Sequence, residues 1–194
     1  MTRRRSSIIV ACAVIAALLA AVWFWRSRQD AVEPGALDLI ELFPDAEKRT
    51  TMGSLEDGYS IQTVTINGDR KHSIFAHPFS RILWTVTVPP GAVLRTAAAL
   101  RADVWGTPGD GALFRIGVSD GPTYTEFFKV WIRPADQPAD RRWFPVEIDL
   151  SRYEGRQVKI IFNTEPGESG NAVGDACVWG APRIVPGPRE PVNQ

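Results

Sequence analysis

Seven tryptophans are the most unusual chemical resource of this 194-residue chain. Trp131 falls in the strand phase of Phe127 and Lys129, opposite to Phe128, Val130 and Ile132. Trp143 shares an outward phase with Glu147 on the following strand pattern. Read as two strands of one hairpin, the patterns bring Trp131 and Trp143 side by side. Flat rings flanked by charges suit the apolar face of a sugar, and the polar neighbours suit its hydroxyls. The same rings also suit a second core layer, or a patch covered by residues 37–43, because tryptophan is usually well buried.

Other chemistries find less support. Glu147 and Asp149 share a strand face, but adjacent exposed carboxylates ordinarily meet only solvent. Glycoside hydrolysis needs two carboxylates at a fixed separation, and no G-x-S-x-G, P-loop or H-E-x-x-H pattern occurs. The expected protein is therefore not an enzyme. His72 and His77 are five apart, on opposite strand faces and without a cysteine cluster, which argues against zinc. Cys12 and Cys177 lie in segments of different character and are not expected to pair. Cys177 reads as a small buried hydrophobe.

The elements that must position these residues are short strands punctuated by turns. Tyr59–Ile66 alternates and runs into Asn67-Gly68, a hairpin signal because both residues tolerate positive φ. Further runs cover 71–77, 82–88, 93–104, 112–118, 123–132, 143–149, 157–163 and 176–184. Nine strands at this spacing, without a helix among them, predict an all-β sandwich. Successive antiparallel strands alternate direction, so their connections alternate between two ends. Residues 78–81, 105–111, 133–142 and 164–174 then share one end, and the tight turns share the other. Long polar loops on a rigid scaffold are where binding usually resides. That end offers Trp105, Asp110, Arg141, Arg142, Glu165, Glu168 and Asn171.

Arg3, Arg4 and Arg5 precede residues 8–25, an uninterrupted apolar run of eighteen. As a helix it would span about 27 Å, close to the hydrocarbon thickness of a bilayer. Trp23, Phe24 and Trp25 sit at its far end, where amphipathic rings favour the interface. The run's length favours an uncleaved signal-anchor over a cleaved signal peptide or a lipoprotein box ending at Cys12. All three place the remainder outside the cytoplasm, and the anchor puts the N-terminus inside. The expected organisation is a cytoplasmic stub and transmembrane segment at 1–29, a linker and lead-in at 30–58, a sandwich at 59–184 and a Pro-rich tail at 185–194. In the lead-in, Leu37, Ile40 and Leu42 suggest a brief helical turn ended by Pro44, placed as a lid. Apart from the first three arginines the chain holds 22 − 3 = 19 basic against 22 acidic residues. That balance argues against nucleic acid as the main partner.

One combination is distinctive: Val104-Trp105-Gly106, Phe114-x-Ile116-x-Val118, Trp143 leading into Glu147-Ile148-Asp149-Leu150-Ser151-x-Tyr153-x-Gly155, Val158-x-Ile160-x-Phe162, and Asp175-x-x-x-Trp179-Gly180-x-Pro182-x-Ile184. Over roughly residues 60–184 this resembles the galactose-binding-like jelly-roll domains, in the versions found in carbohydrate-binding modules and beside bacterial sulfatases and envelope glycan enzymes. The resemblance implies an eight-stranded jelly roll, frequent glycan binding and often a structural calcium, with Asp175 at the matching position. Fold resemblance alone does not fix function. The expectation is a membrane-anchored, non-catalytic binding module for an envelope polysaccharide. Its candidate ligand-binding residues are Trp105, Asp110, Trp131, Arg142, Trp143 and Asn171. The alternative is an assembly subunit that uses the same aromatics to bind an envelope protein.

Overall fold

The computed structural model describes residues 35–187. The apolar run at 8–25 lies outside them, as do residues 188–194. No helix among the described residues is long and apolar enough to cross a membrane.

Eleven strands are found among the described residues: β1 (Leu37–Asp38), β2 (Glu47–Thr50), β3 (Tyr59–Ile66), β4 (Asp69–Ala76), β5 (Ser80–Thr87), β6 (Val93–Leu100), β7 (Ala112–Ser119), β8 (Tyr124–Ile132), β9 (Phe144–Asp149), β10 (Gln157–Pro166) and β11 (Cys177–Val185). One sheet runs β3-β4-β11-β6-β9, with β1 also on β11, and the other runs β2-β5-β10-β7-β8. The last eight strands form a jelly roll in which most connections cross between sheets. All nine expected strands are present. The Asn67-Gly68 turn has φ of 52° and 80°, the positive pair a tight hairpin needs.

Alternation builds the core. Ile82, Trp84, Phe114, Ile116, Val118, Val158, Ile160 and Phe162 face inward from one sheet, and Leu94, Cys177, Trp179 and Ile184 from the other. Trp179 reaches across the sandwich with its ring centroid 5.0 Å from Phe114 and 4.6 Å from Phe162. Trp84 meets Phe162 edge-on at 5.0 Å. Tilted and edge-on contacts of this kind are favoured by the ring quadrupoles.

The lead-in holds the expected brief turn, with the Leu42 amide bonded to the Asp38 carbonyl at 3.2 Å, and adds two strands that were not expected. Leu37–Asp38 and Glu47–Thr50 are strands paired with β11 and β5. The register of β11 breaks between Gly180 and Arg183, past the stretch paired with β4, and β1 takes up that edge. Leu39 is fully buried, and its carbonyl accepts the indole N–H of Trp84 at 3.0 Å. Leu39 and Ile40 are buried from within that turn, which Pro44 keeps from extending into a helix. A four-residue helix, α1 (Leu55–Gly58), follows, capped by the Ser54 hydroxyl.

The strand registers gather the connections 51–58, 77–79, 101–111, 133–143 and 167–176 toward one end. Connections 67–68, 88–92, 120–123 and 150–156 lie at the other.

Candidate functional site

The long-loop end carries two neighbouring features, an acidic loop pair and an open groove. The acidic pair is Asp110 and Asp175. Asp110 precedes β7 and Asp175 precedes β11, so each is delivered by a loop entering the same end of the sandwich. The Ser169 amide donates to Asp110 Oδ2 at 2.7 Å, and that bond holds the Asp110 carboxyl below the usual carboxylate range. Gly167 lies against the same carboxylate, where any Cβ would fall 2.1 Å from Asp110 Cγ. Asp175 is 4% exposed. Burial, then the nearby charge of Asp110, pushes its carboxyl up to about 7. Asp110 Oδ1 and Asp175 Oδ2 are both buried without a hydrogen-bond partner. Two orphaned carboxylate oxygens in one place are costly unless a proton or cation meets them. Among the described residues no group of three or more His, Cys, Asp or Glu gathers to hold a metal. A cation here would take its remaining ligands from backbone carbonyls and water, as calcium readily does.

The groove lies where β2 ends, β5 begins and β10 passes beside it. It has a volume of about 300 Å³ and is lined by Arg49, Thr50, Thr51, Phe79, Arg81, Asn163 and Glu165, with the Ser80 and Thr164 hydroxyls at its base. Phe79 is 48% exposed, one of the few large apolar side chains left open to solvent. Arg49 and Arg81 stand opposite each other on β2 and β5. The buried Tyr59 hydroxyl joins their backbones, donating to the Arg49 carbonyl at 2.5 Å and accepting from the Arg81 amide at 3.1 Å. Burial raises the pKa of that hydroxyl, so it stays protonated as the donor. Below it, Ser80 and Thr164 bond through their hydroxyls at 2.5 Å, and Thr164 donates on to the Ala76 carbonyl at 3.1 Å.

The aromatic residues singled out from the sequence do not form one platform. Strand β8 belongs to one sheet and β9 to the other, so residues 133–143 cross the sandwich and do not close a hairpin. Trp131 and Trp143 consequently lie on opposite faces. Trp143 is 8% exposed and packs with Val64, Ile66, Ala97, Ala99 and Val178, with Trp105 at the margin of the same cluster. Its ring occupies the space above Gly180, where a Cβ would come within 2.9 Å of it. Trp143 Nε1 donates to the Asp69 carbonyl at 3.2 Å. Trp105 Nε1 donates to the Leu100 carbonyl at 2.9 Å, and Trp131 Nε1 to the Asp110 carbonyl at 3.0 Å. These two indoles brace the loop at 101–111. A bulge in β8, where Ile116 pairs with Phe128 and Gly117 with Glu126, takes Phe127 out of the phase of Trp131. Phe127 meets Tyr153 at 6.3 Å instead. The Arg142 guanidinium lies 4.0 Å over the Phe144 ring. Asn171 is exposed, and its side-chain oxygen accepts from the Val173 amide at 3.0 Å. Trp131, Asp110, Asn171 and Asp175 thus lie at the long-loop end, whereas the connection holding Arg142 and Trp143 leaves that end and packs along the outer face of the other sheet.

Phe79, Arg81 and Asn163 were not singled out in advance. A signal existed for Phe79: a large ring in the three-residue connection 77–79, between two strands whose inward positions were already filled. Asn163 lay in the outward phase of β10, but its pairing with Arg81 depends on strand order.

No family model matches the chain. An uncharacterized protein of Archaeoglobus fulgidus is 38% identical over 126 residues, 61% of this chain. The chain spans only 32% of that relative's length. Among solved structures the likeness is to carbohydrate-binding modules. The CBM51 of Clostridium perfringens GH95, solved with methyl-galactose, superposes with a TM-score of 0.53 at 15% identity, covering 77% of this chain and 99% of that one. The M60 catalytic domain of C. perfringens ZmpB with its CBM51-1 and CBM51-2 domains gives a TM-score of 0.50 at 8% identity, over 72% of this chain and 14% of that one. The class defined here is therefore the β-sandwich fold of carbohydrate-binding modules, and at such identities the likeness is one of fold.

Proposed function

We propose that the chain is a non-catalytic carbohydrate-binding module of the cell envelope. The observation that carries this reading is the open Phe79 ring beside a groove lined by hydroxyls, an amide and guanidinium groups. An aromatic plate with convergent polar groups is the usual chemistry of a sugar site, and the fold is one that carbohydrate-binding modules share. The groove replaces the Trp131–Trp143 platform as the candidate site. The uninterrupted apolar run at 8–25 supports a single-pass anchor that displays the domain in the periplasm or outside the cell. The reading includes a structural calcium at Asp110 and Asp175, supported by one unpartnered buried oxygen on each carboxylate; such an ion would fasten loop 101–111 to loop 167–176. Glycan-panel binding by the full chain, compared with Phe79→Ala, tests the central reading.

A further inference from the structure

The charges lining the groove do not cancel. Arg49 is paired with Glu47, its Nε bonded to the Glu47 carboxylate at 3.0 Å. Glu165 is paired with Arg115 at 2.9 Å, and Arg115 is also bonded to Glu126. Arg81 has no carboxylate partner among the described residues. Its one side-chain bond runs from Nε to Asn163 Oδ1 at 2.7 Å. Asn163 is 5% exposed and immobilised within β10, so it fixes the plane of the guanidinium from one edge. The two Nη groups remain, a fork of N–H donors at a groove that also carries an open aromatic ring. Such a fork matches a carboxylate bidentately, and a planar acceptor fits it better than a lone hydroxyl does.

We propose that the groove takes a uronic acid residue, its carboxylate seated on the Arg81 fork and its ring against Phe79. This rests on the glycan-binding reading and narrows it to acidic polysaccharide. Thr51 and Asn163 also line the groove and add polar groups for the sugar hydroxyls. Arg115 bridges Glu165 and Glu126, so the Glu165 charge at the groove is partly offset and its carboxylate is turned toward Arg115.

The test measures binding of the full chain to polygalacturonate, alginate and hyaluronan, and to the same polymers after carboxyl reduction. At least one acidic polymer is expected to bind about tenfold or more tightly than its reduced form. Added salt is expected to weaken that preference. Arg81→Gln is expected to remove the preference by weakening only the acidic form. Arg81→Lys, which keeps the charge and loses the fork, is expected to fall between. Equal binding of acidic and reduced polymers, or an equal loss on both with Arg81→Gln, overturns the uronate assignment and leaves the glycan reading standing. Retention of neutral or sulfated glycans with none of the three uronates has the same consequence. Failure to bind any glycan overturns both.

Discussion

Arg81 and Asn163 sit directly opposite each other on β5 and β10, joined by a 2.7 Å bond from Nε to Oδ1. The bond turns a long, flexible side chain into a fixed donor fork. Removing the amide in Asn163→Ala frees the guanidinium without changing its charge. Uronate affinity is expected to drop about threefold to tenfold, with a stability loss of about 1 kcal/mol. Titration calorimetry and denaturant unfolding of the same preparation separate the two effects.

Gly167 is where the loop at 167–176 closes on Asp110. Gly167→Ala forces the carboxylate or the loop to move, because the added methyl would overlap Asp110 Cγ and Oδ1. Calcium at a hundredfold excess over its Kd is expected to raise the Tm of the native chain by about 5–10 °C. That rise should vanish in Gly167→Ala and in Asp110→Asn. Scanning calorimetry with calcium and with a chelator checks it. No calcium-dependent shift in the native chain would remove the metal from this loop pair.

Asp175 predicts the pH dependence of the metal-free protein. Burial and the Asp110 charge raise its folded pKa to about 7 from an ordinary 3.8. Between those values the folded state holds a proton that the unfolded state has released. Stability therefore falls as pH rises from about 3.8 to about 7 and is level above, so far as this group contributes. Asp175→Asn, which mimics the protonated form, is expected to flatten that slope in chelator. Unfolding midpoints across the pH range provide the check.

Trp143 separates framework from site. It fills a satellite cluster on the outer face of the β3-β4-β11-β6-β9 sheet and is absent from the groove. Trp143→Ala is expected to cost about 3–5 kcal/mol of stability, the usual range for emptying a large aromatic site. Glycan affinity of the fraction that remains folded should not change. Denaturant unfolding and binding at low temperature measure each.

The strands were legible in the sequence because alternation and turn residues are local signals. Ile82, Trp84 and Val86, or Phe114, Ile116 and Val118, announce their inward face within a few residues. The two short lead-in strands were hidden because Leu37–Asp38 and Glu47–Thr50 acquire strand character only from β11 and β5, far along the chain. The site was read less well than the frame. Grouping the long loops at one end followed from direction alone, and it holds for the strand junctions. Residues 133–143, however, run back over a sheet face, where the Asn67 side chain of the opposite end donates to the Arg141 carbonyl at 2.7 Å. The Trp131–Trp143 platform required consecutive strands to be neighbours, a condition a jelly roll breaks at β8 and β9. The groove required the order β2-β5-β10, which joins residues 49, 81 and 163, and no local pattern carries that.

The measurement closest to the central claim is quantitative glycan binding by the full chain and by Phe79→Ala, with Trp131→Ala as a control beyond the groove. The account predicts measurable affinity for a polysaccharide, a loss of about tenfold or more in Phe79→Ala from the missing ring contact, and near-native affinity in Trp131→Ala. Native affinity in Phe79→Ala, or the absence of binding to any glycan, would contradict it.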